Sequence, residues 1–339
     1  MKAIALTRYL PIDHPESLMD VTLSKPTPQG RDLLVEIKAI AVNPVDTKVR
    51  APKAKVEEAL RVLGWDAAGI VQAVGPDVSL FKVGDKVFYA GDITRPGTNS
   101  EFQLIDERIA GHMPKSHDFE QSAALPLTAI TAWEALFERL QVTTPPHAIP
   151  RKSILIIGGA GGVGSIAIQL AAKVAGLTVI ATASRPESEK WVRELGAQHV
   201  INHFGDLQAQ LKEKGFLAVD HVLILNDTDQ HFPAAAAVIA PQGMICSIVE
   251  NAAPLDLSLL KSKSAGFVWE FMFTRSMYQT PDMQEQGNLL NEIARLIDSK
   301  ILVTTVGQVL SPINAANLRL AHATLEAGHV IGKIVLKDF

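Results

Sequence analysis

Gly159, Gly161 and Gly164 have the spacing Gly-x-Gly-x-x-Gly, and they sit where that spacing has chemical meaning. Just before them, Ile154–Ile157 is a short, continuously apolar run suited to a strand buried on both faces. Just after them, Ile166, Ile168, Leu170, Ala171 and Val174 recur at helical spacing. A strand, a glycine turn and a helix form a cradle for a diphosphate. The first glycine permits a tight turn, the second lets an anion approach bare backbone, and the third lets helix and strand pack closely. The N–H groups of Gly162, Val163 and Gly164 open the helix and face the anion.

The stretch after the second strand decides which dinucleotide. An acidic residue about twenty positions past the glycines normally holds the ribose 2′-hydroxyl of NAD. Here the chain reads Ala181-Thr182-Ala183-Ser184-Arg185-Pro186, with no acid. Ser184 is neutral, and Arg185 offers a planar donor fork that suits a 2′-phosphate. The expected cofactor is therefore NADPH; the competing view of Arg185 is a solvated charge at a helix start. Asn226 ends a predicted sheet strand on the ligand side.

The elements that must position these residues follow from the bulk of the chain. Its 339 residues exceed what one core usually serves, so two domains are expected. With 47% hydrophobic and 20% charged residues the composition is that of a globular protein. A net charge of −4 gives no footing for nucleic-acid or anionic-membrane binding. No apolar run is long enough to span a bilayer, and the start, MKAIALTRYL, does not read as a signal peptide, so the cytoplasm is the expected location. Cys246 is the single cysteine, which excludes a disulfide within the chain and a thiolate-rich zinc site.

Residues 1–125 read as short strands separated by Gly, Pro and Asp turns: Lys2–Leu6, Leu33–Val42, Ala67–Val74, Lys86–Ala90 and Glu101–Ile105. Asn43–Lys48 reads as a turn and Ala54–Leu63 as weakly helical. From Ser153 strands and helices alternate, which implies a parallel, doubly wound sheet. Phe267–Phe273 is its last expected strand, and an edge there suggests a homodimer. The tail returns to β texture, so 275–339 is expected to rejoin residues 1–125, with 126–274 as the dinucleotide-binding domain.

Several motifs occur in order along the chain: Pro44-Val45-Asp46, Gly64-Trp65-Asp66-Ala67-Ala68-Gly69, Val83-Gly84-Asp85-Lys86-Val87, Leu125–Ala132 and the Gly159–Gly164 loop. Together they resemble the medium-chain dehydrogenase/reductase superfamily, more closely its quinone oxidoreductase branch and the "zinc-type alcohol dehydrogenase-like" subgroup. The resemblance spans essentially the whole chain. It implies an α/β protein with a GroES-like, partly closed β-barrel domain and a Rossmann doubly wound domain.

The zinc ligands of that superfamily are not matched. Asn43 stands where zinc-dependent relatives place a cysteine, and Trp65 where they place the histidine of a Gly-His-Glu motif; Ala123–Leu125 offers no third ligand. Catalytic zinc needs about three protein ligands. No zinc is expected, and hydride chemistry then falls to the cofactor, directed at quinones or α,β-unsaturated carbonyls. By resemblance, Asn43 and Tyr89 are the candidate catalytic residues, and Asp46, Trp65 and Asp66 the substrate pocket. Asp46 and Asp66 equally suit turn anchors. Thr128 and Thr131 match a position facing the cofactor, with a helix cap as the alternative, and His203 matches a tyrosine near the adenosine phosphate. Two other functions stay open: a zinc alcohol dehydrogenase with atypical ligands, and an NADPH-binding sensor without turnover.

Overall fold

The computed structural model describes residues 1–143 and 152–339, so the proline-bearing loop expected over Thr143–Arg151 lies outside it beyond its first residue. The chain divides into two compact units, Met1–Ile130 with Phe273–Phe339, and Thr131–Met272.

The Thr131–Met272 unit is built on six parallel strands: β1 (Ser153–Ile157), β2 (Thr178–Thr182), β3 (His199–Ile201), β4 (Val219–Ile224), β5 (Ile239–Ser247) and β6 (Gly266–Trp269). Their order in the sheet is β3-β2-β1-β4-β5-β6. Every side chain of β1 is buried, as its apolar run Ile154–Ile157 requires. Helices α1 (Gly162–Gln169), α2 (Pro186–Leu195), α3 (Leu207–Glu213) and α4 (Thr228–Val238) connect the first five strands. The chain runs outward from β1 to β3, then returns to place β4 on the other side of β1. Loops leaving the carboxyl ends of β1 and β4 therefore diverge and open a crevice between them.

The Met1–Ile130, Phe273–Phe339 unit holds a seven-stranded sheet. Its path runs Val306–Leu310, Lys333–Lys337, Asp32–Val42, Asp66–Val74, Lys86–Ala90, Ala110–His112, with Phe102–Asp106 also on Asp32–Val42. A second sheet pairs Met19–Thr22 and Lys53–Val62 with Lys2–Tyr9. The long strand Asp32–Val42 organises this unit. Val42 pairs with Ile334 and Ala41 with Asp66, so its end brings Asn43, Asp66 and Lys333 to one place.

Three local expectations need correcting. Ala54–Leu63 is not helical: Lys53–Val62 is a strand. Its Ala, Glu, Leu and Arg favour helix in isolation, but pairing with Lys2–Tyr9 overrides that preference. Asn43–Lys48 is more than a turn. Pro44–Arg50 is a helix with Pro44 in its first turn, and the Asp46 carboxylate reaches back to accept the Asn43 N–H at 2.6 Å. β6 also ends at Trp269, short of the expected Phe273. No helix among the described residues is long and apolar enough to cross a membrane.

Candidate functional site

The glycine loop forms the expected turn from β1 into α1. Gly158 has φ +89°, a conformation open to glycine and strained for other residues. Its N–H donates to Thr182 Oγ1 at 2.9 Å, and the Gly159 N–H donates to the Thr182 carbonyl at 3.2 Å, which pins the loop to β2. A Cβ on Gly164 would lie 2.5 Å from the carbonyl oxygens of both Gly158 and Gly159. A Cβ on Gly161 would meet nothing nearer than the Gly158 carbonyl at 3.7 Å. Gly164 is thus required by packing, while the face of Gly161 is bare and approachable. Gly161 caps α1, and the N–H groups of Gly162, Val163 and Gly164 precede its first hydrogen-bonded turn. This fits a dinucleotide diphosphate.

Of the other predicted cofactor residues, Asn226 lies against this loop. The Asn226 Oδ1 atom sits 3.3 Å from where a Gly158 Cβ would be, so the chain leaving β4 borders the loop. Ser184 is exposed and Arg185 half-buried past the end of β2. The Arg185 N–H bonds Ser188 Oγ at 3.1 Å and starts α2. His203 is two residues beyond β3, its ring tilted by 53° against that of Phe204 with centroids 4.3 Å apart. Thr128 and Thr131 are buried. The Thr128 hydroxyl donates to the Leu125 carbonyl at 3.0 Å, a bond along its own helix, Pro126–Trp133.

In the other unit the structure draws Asn43, Asp46 and Asp66 round a residue that had no place in the expected site. Lys333 is 3% exposed. Its ammonium group donates to Asp66 Oδ2 at 2.8 Å and to Asn43 Oδ1. Asp66 also accepts from Asn43 Nδ2 at 2.9 Å and, through Oδ1, from the Leu127 N–H at 2.7 Å. Both Asp66 oxygens are therefore occupied, and the pair ties the C-terminal strand to the strand at Asp66 and a helix start. Asp46 is fully buried, with one oxygen on the Asn43 N–H and the other without a hydrogen-bond partner among the described residues. Burial is the main force lifting its carboxyl, to about 7, opposed by the Asn43 N–H and the Lys333 charge.

Trp65 and Tyr89 are also interior. Trp65 packs edge-on against Phe273, centroids 5.9 Å apart. The Tyr89 hydroxyl is buried without a partner among the described residues, and burial pushes its ionisation above the usual phenol range. Tyr89 can donate a hydrogen bond but is not an anion at physiological pH.

Comparison with known proteins places this geometry. Residues 29–114 match the alcohol dehydrogenase GroES-like domain and residues 195–336 the zinc-binding dehydrogenase family. A zinc-type alcohol dehydrogenase-like protein of Staphylococcus aureus (strain MSSA476) is 45% identical over 312 residues, covering 92% of each chain. The chain belongs to the medium-chain dehydrogenase/reductase superfamily, in its quinone oxidoreductase-like branch. Among solved structures, a Rhizobium etli protein provisionally named a zinc-dependent alcohol dehydrogenase superposes with TM-score 0.95 at 53% identity, covering 100% of this chain and 98% of its own. Escherichia coli quinone oxidoreductase, crystallised with NADPH, superposes with TM-score 0.82 at 25% identity, covering 99% and 100%. This member of the superfamily is an oxidoreductase that binds NAD(P)H.

The donor set does not fit the metal in those names. An indole at Trp65 has no lone pair for zinc, and the Asn43 oxygen already accepts from an ammonium ion. Among the described residues no three His, Cys, Asp or Glu side chains converge. Lys333 was missed at sequence level, although a signal existed. Asp66 stands in an apolar setting, Gly64-Trp65-Asp66-Ala67-Ala68, and a buried acid calls for a cation.

Two outcomes follow. Lys333→Met leaves Asp66 buried and unpaired and lowers stability by about 3–5 kcal/mol in urea unfolding, whereas Lys333→Met with Asp66→Asn recovers part of the loss. Gly164→Ala lowers stability by about 1–3 kcal/mol through overpacking, while Gly161→Ala leaves the melting temperature in place and weakens dinucleotide binding on titration.

Proposed function

We propose that this chain is an NADPH-dependent, zinc-independent oxidoreductase that delivers hydride to a quinone or an α,β-unsaturated carbonyl. The observation that carries it is the Lys333 ammonium between Asn43 and Asp66, a fixed positive charge where zinc-dependent relatives have a metal ligand at the position of Asn43. When bound, NADPH supplies the hydride, two electrons and one hydrogen nucleus. The protein supplies placement and polarisation. Gly161 and the start of α1 take the diphosphate, and Arg185 takes the 2′-phosphate.

At the substrate end, Asn43 has one N–H committed to Asp66 and one left to donate. With Lys333 on its amide oxygen, that remaining N–H is a stronger donor to a carbonyl oxygen. One neutral hydrogen bond stabilises an alkoxide weakly compared with a metal ion. It suits acceptors whose extra charge spreads over a conjugated system, such as quinones and enones. The likeness to a quinone oxidoreductase solved with NADPH supports the same choice.

The deciding assay measures oxidation of NADPH and NADH against a panel of quinones, enones, ketones and aldehydes, before and after dialysis against a zinc chelator. Quinone or enone turnover that survives chelation is the expected result. Loss on chelation, restored by stoichiometric zinc, would mark a zinc alcohol dehydrogenase. Tight NADPH binding with no turnover across the panel would mark a sensor. In the same assay Arg185→Ala lowers the preference for NADPH over NADH by about 10-fold or more, the worth of a charge-assisted hydrogen bond. An unchanged ratio would mean the phosphate is held elsewhere.

A further inference from the structure

A chain of hydrogen bonds runs from α2 through α1 to the glycine turn. The indole N–H of Trp191, on α2, donates to Ser165 Oγ, on α1, at 2.8 Å. The Ser165 hydroxyl donates in turn to the Gly161 carbonyl at 2.7 Å, and the Ser165 N–H donates to the same carbonyl at 2.9 Å. Chemistry fixes the direction of this chain. An indole nitrogen only donates, so Ser165 Oγ accepts that bond and its single O–H is left for Gly161.

Ser165 is fully buried and Trp191 half-buried. The hydroxyl is not needed to complete the helix. The Gly161 carbonyl already has its helical partner in the Ser165 N–H, so alanine at 165 would leave no backbone group unpaired. What the chain of bonds reaches is the cradle itself. Gly161 is the glycine whose face is bare, and it caps α1. Its carbonyl belongs to the same peptide group as the Gly162 N–H, the first of the N–H groups that open the helix. Hydrogen bonds accepted by a carbonyl oxygen draw electron density from the amide nitrogen through peptide resonance. Each bond on Gly161 therefore makes the Gly162 N–H a stronger donor.

We propose that Ser165 and Trp191 are positioning residues for the dinucleotide's diphosphate: their hydrogen-bond relay orients the Gly161–Gly162 peptide and strengthens the Gly162 N–H toward the anion. The relay rests on NAD(P)H occupying the glycine cradle, and it adds to the glycines two side chains that act through them. Neither side chain needs to touch the cofactor. Trp191 acts only through the Ser165 hydroxyl, and the hydroxyl acts only through the Gly161 carbonyl.

The test compares the intact protein with Ser165→Ala, Trp191→Phe and the double variant, by calorimetric titration with NADP+. Phenylalanine keeps a ring at 191 and removes the N–H. The relay predicts binding about 3- to 10-fold weaker in Ser165→Ala and about 2- to 3-fold weaker in Trp191→Phe, the worth of one hydrogen bond and of its cooperative part. The double variant binds no more weakly than Ser165→Ala, because the indole has no other route to the cradle. Unchanged affinity in folded Ser165→Ala, or losses that simply add, overturns the relay. A second readout needs no cofactor. In free protein isotope-labelled at its glycine nitrogens, the Gly162 amide resonance is the one that disappears in Gly162→Ala. It moves in Ser165→Ala and, by a smaller step in the same direction, in Trp191→Phe, while Gly158 and Gly159 stay in place. A fixed Gly162 resonance, or equal movement of all three, overturns the relay. Failure of the unaltered protein to bind NADP+ and NAD+ overturns the cofactor assignment and the relay's ligand with it; the Gly162 resonance tells the two failures apart.

Discussion

A buried ammonium ion facing a buried carboxylate fixes one half of this molecule. Lys333 and Asp66 are 3% and 0% exposed and 2.8 Å apart. Charges out of water are costly unless each polar atom finds a partner, so the surroundings have little freedom. Asp66 meets this with three donors: Lys333, the Asn43 amide and the Leu127 N–H. Those donors come from widely separated parts of the sequence. Satisfying one carboxylate thereby sets the end of the long strand, the start of a helix and the register of the C-terminal strand.

The glycine turn imposes a constraint of a different kind, steric rather than electrostatic. At Gly164 a side chain has no room, because two backbone carbonyls lie where a Cβ would be. At Gly161 there is room, and the space is left to a ligand. One motif therefore mixes residues kept for packing with residues kept for binding. The Thr182 hydroxyl, holding the Gly158 N–H, keeps the two kinds in register.

Placing the chain in a superfamily with zinc in some of its names sharpens what is particular about it. Asn43 offers an amide and Trp65 an indole, where the resemblance to zinc-dependent members leads to the expectation that their cysteine and histidine ligands are not matched. A lysine side chain on the last strand, Lys333, brings a positive charge to Asn43 and Asp66. An ammonium ion donates hydrogen bonds and accepts none, so it orders the Asn43 amide but takes no electron pair from a substrate oxygen.

The sequence alone determined the glycine cradle and the alternation of strand and helix behind it, because both depend on residues close along the chain. It also led to the expectation that zinc ligands are not matched, since residue types at a few positions are enough for that. It misjudged Lys53–Val62, where a neighbouring strand outweighs helix-forming residues. Only the tertiary structure brought Lys333 to Asp66, 267 positions away, and Trp191 of α2 to Ser165 of α1. Such contacts depend on sheet order and register, and no local pattern encodes which distant cation will meet a given buried acid.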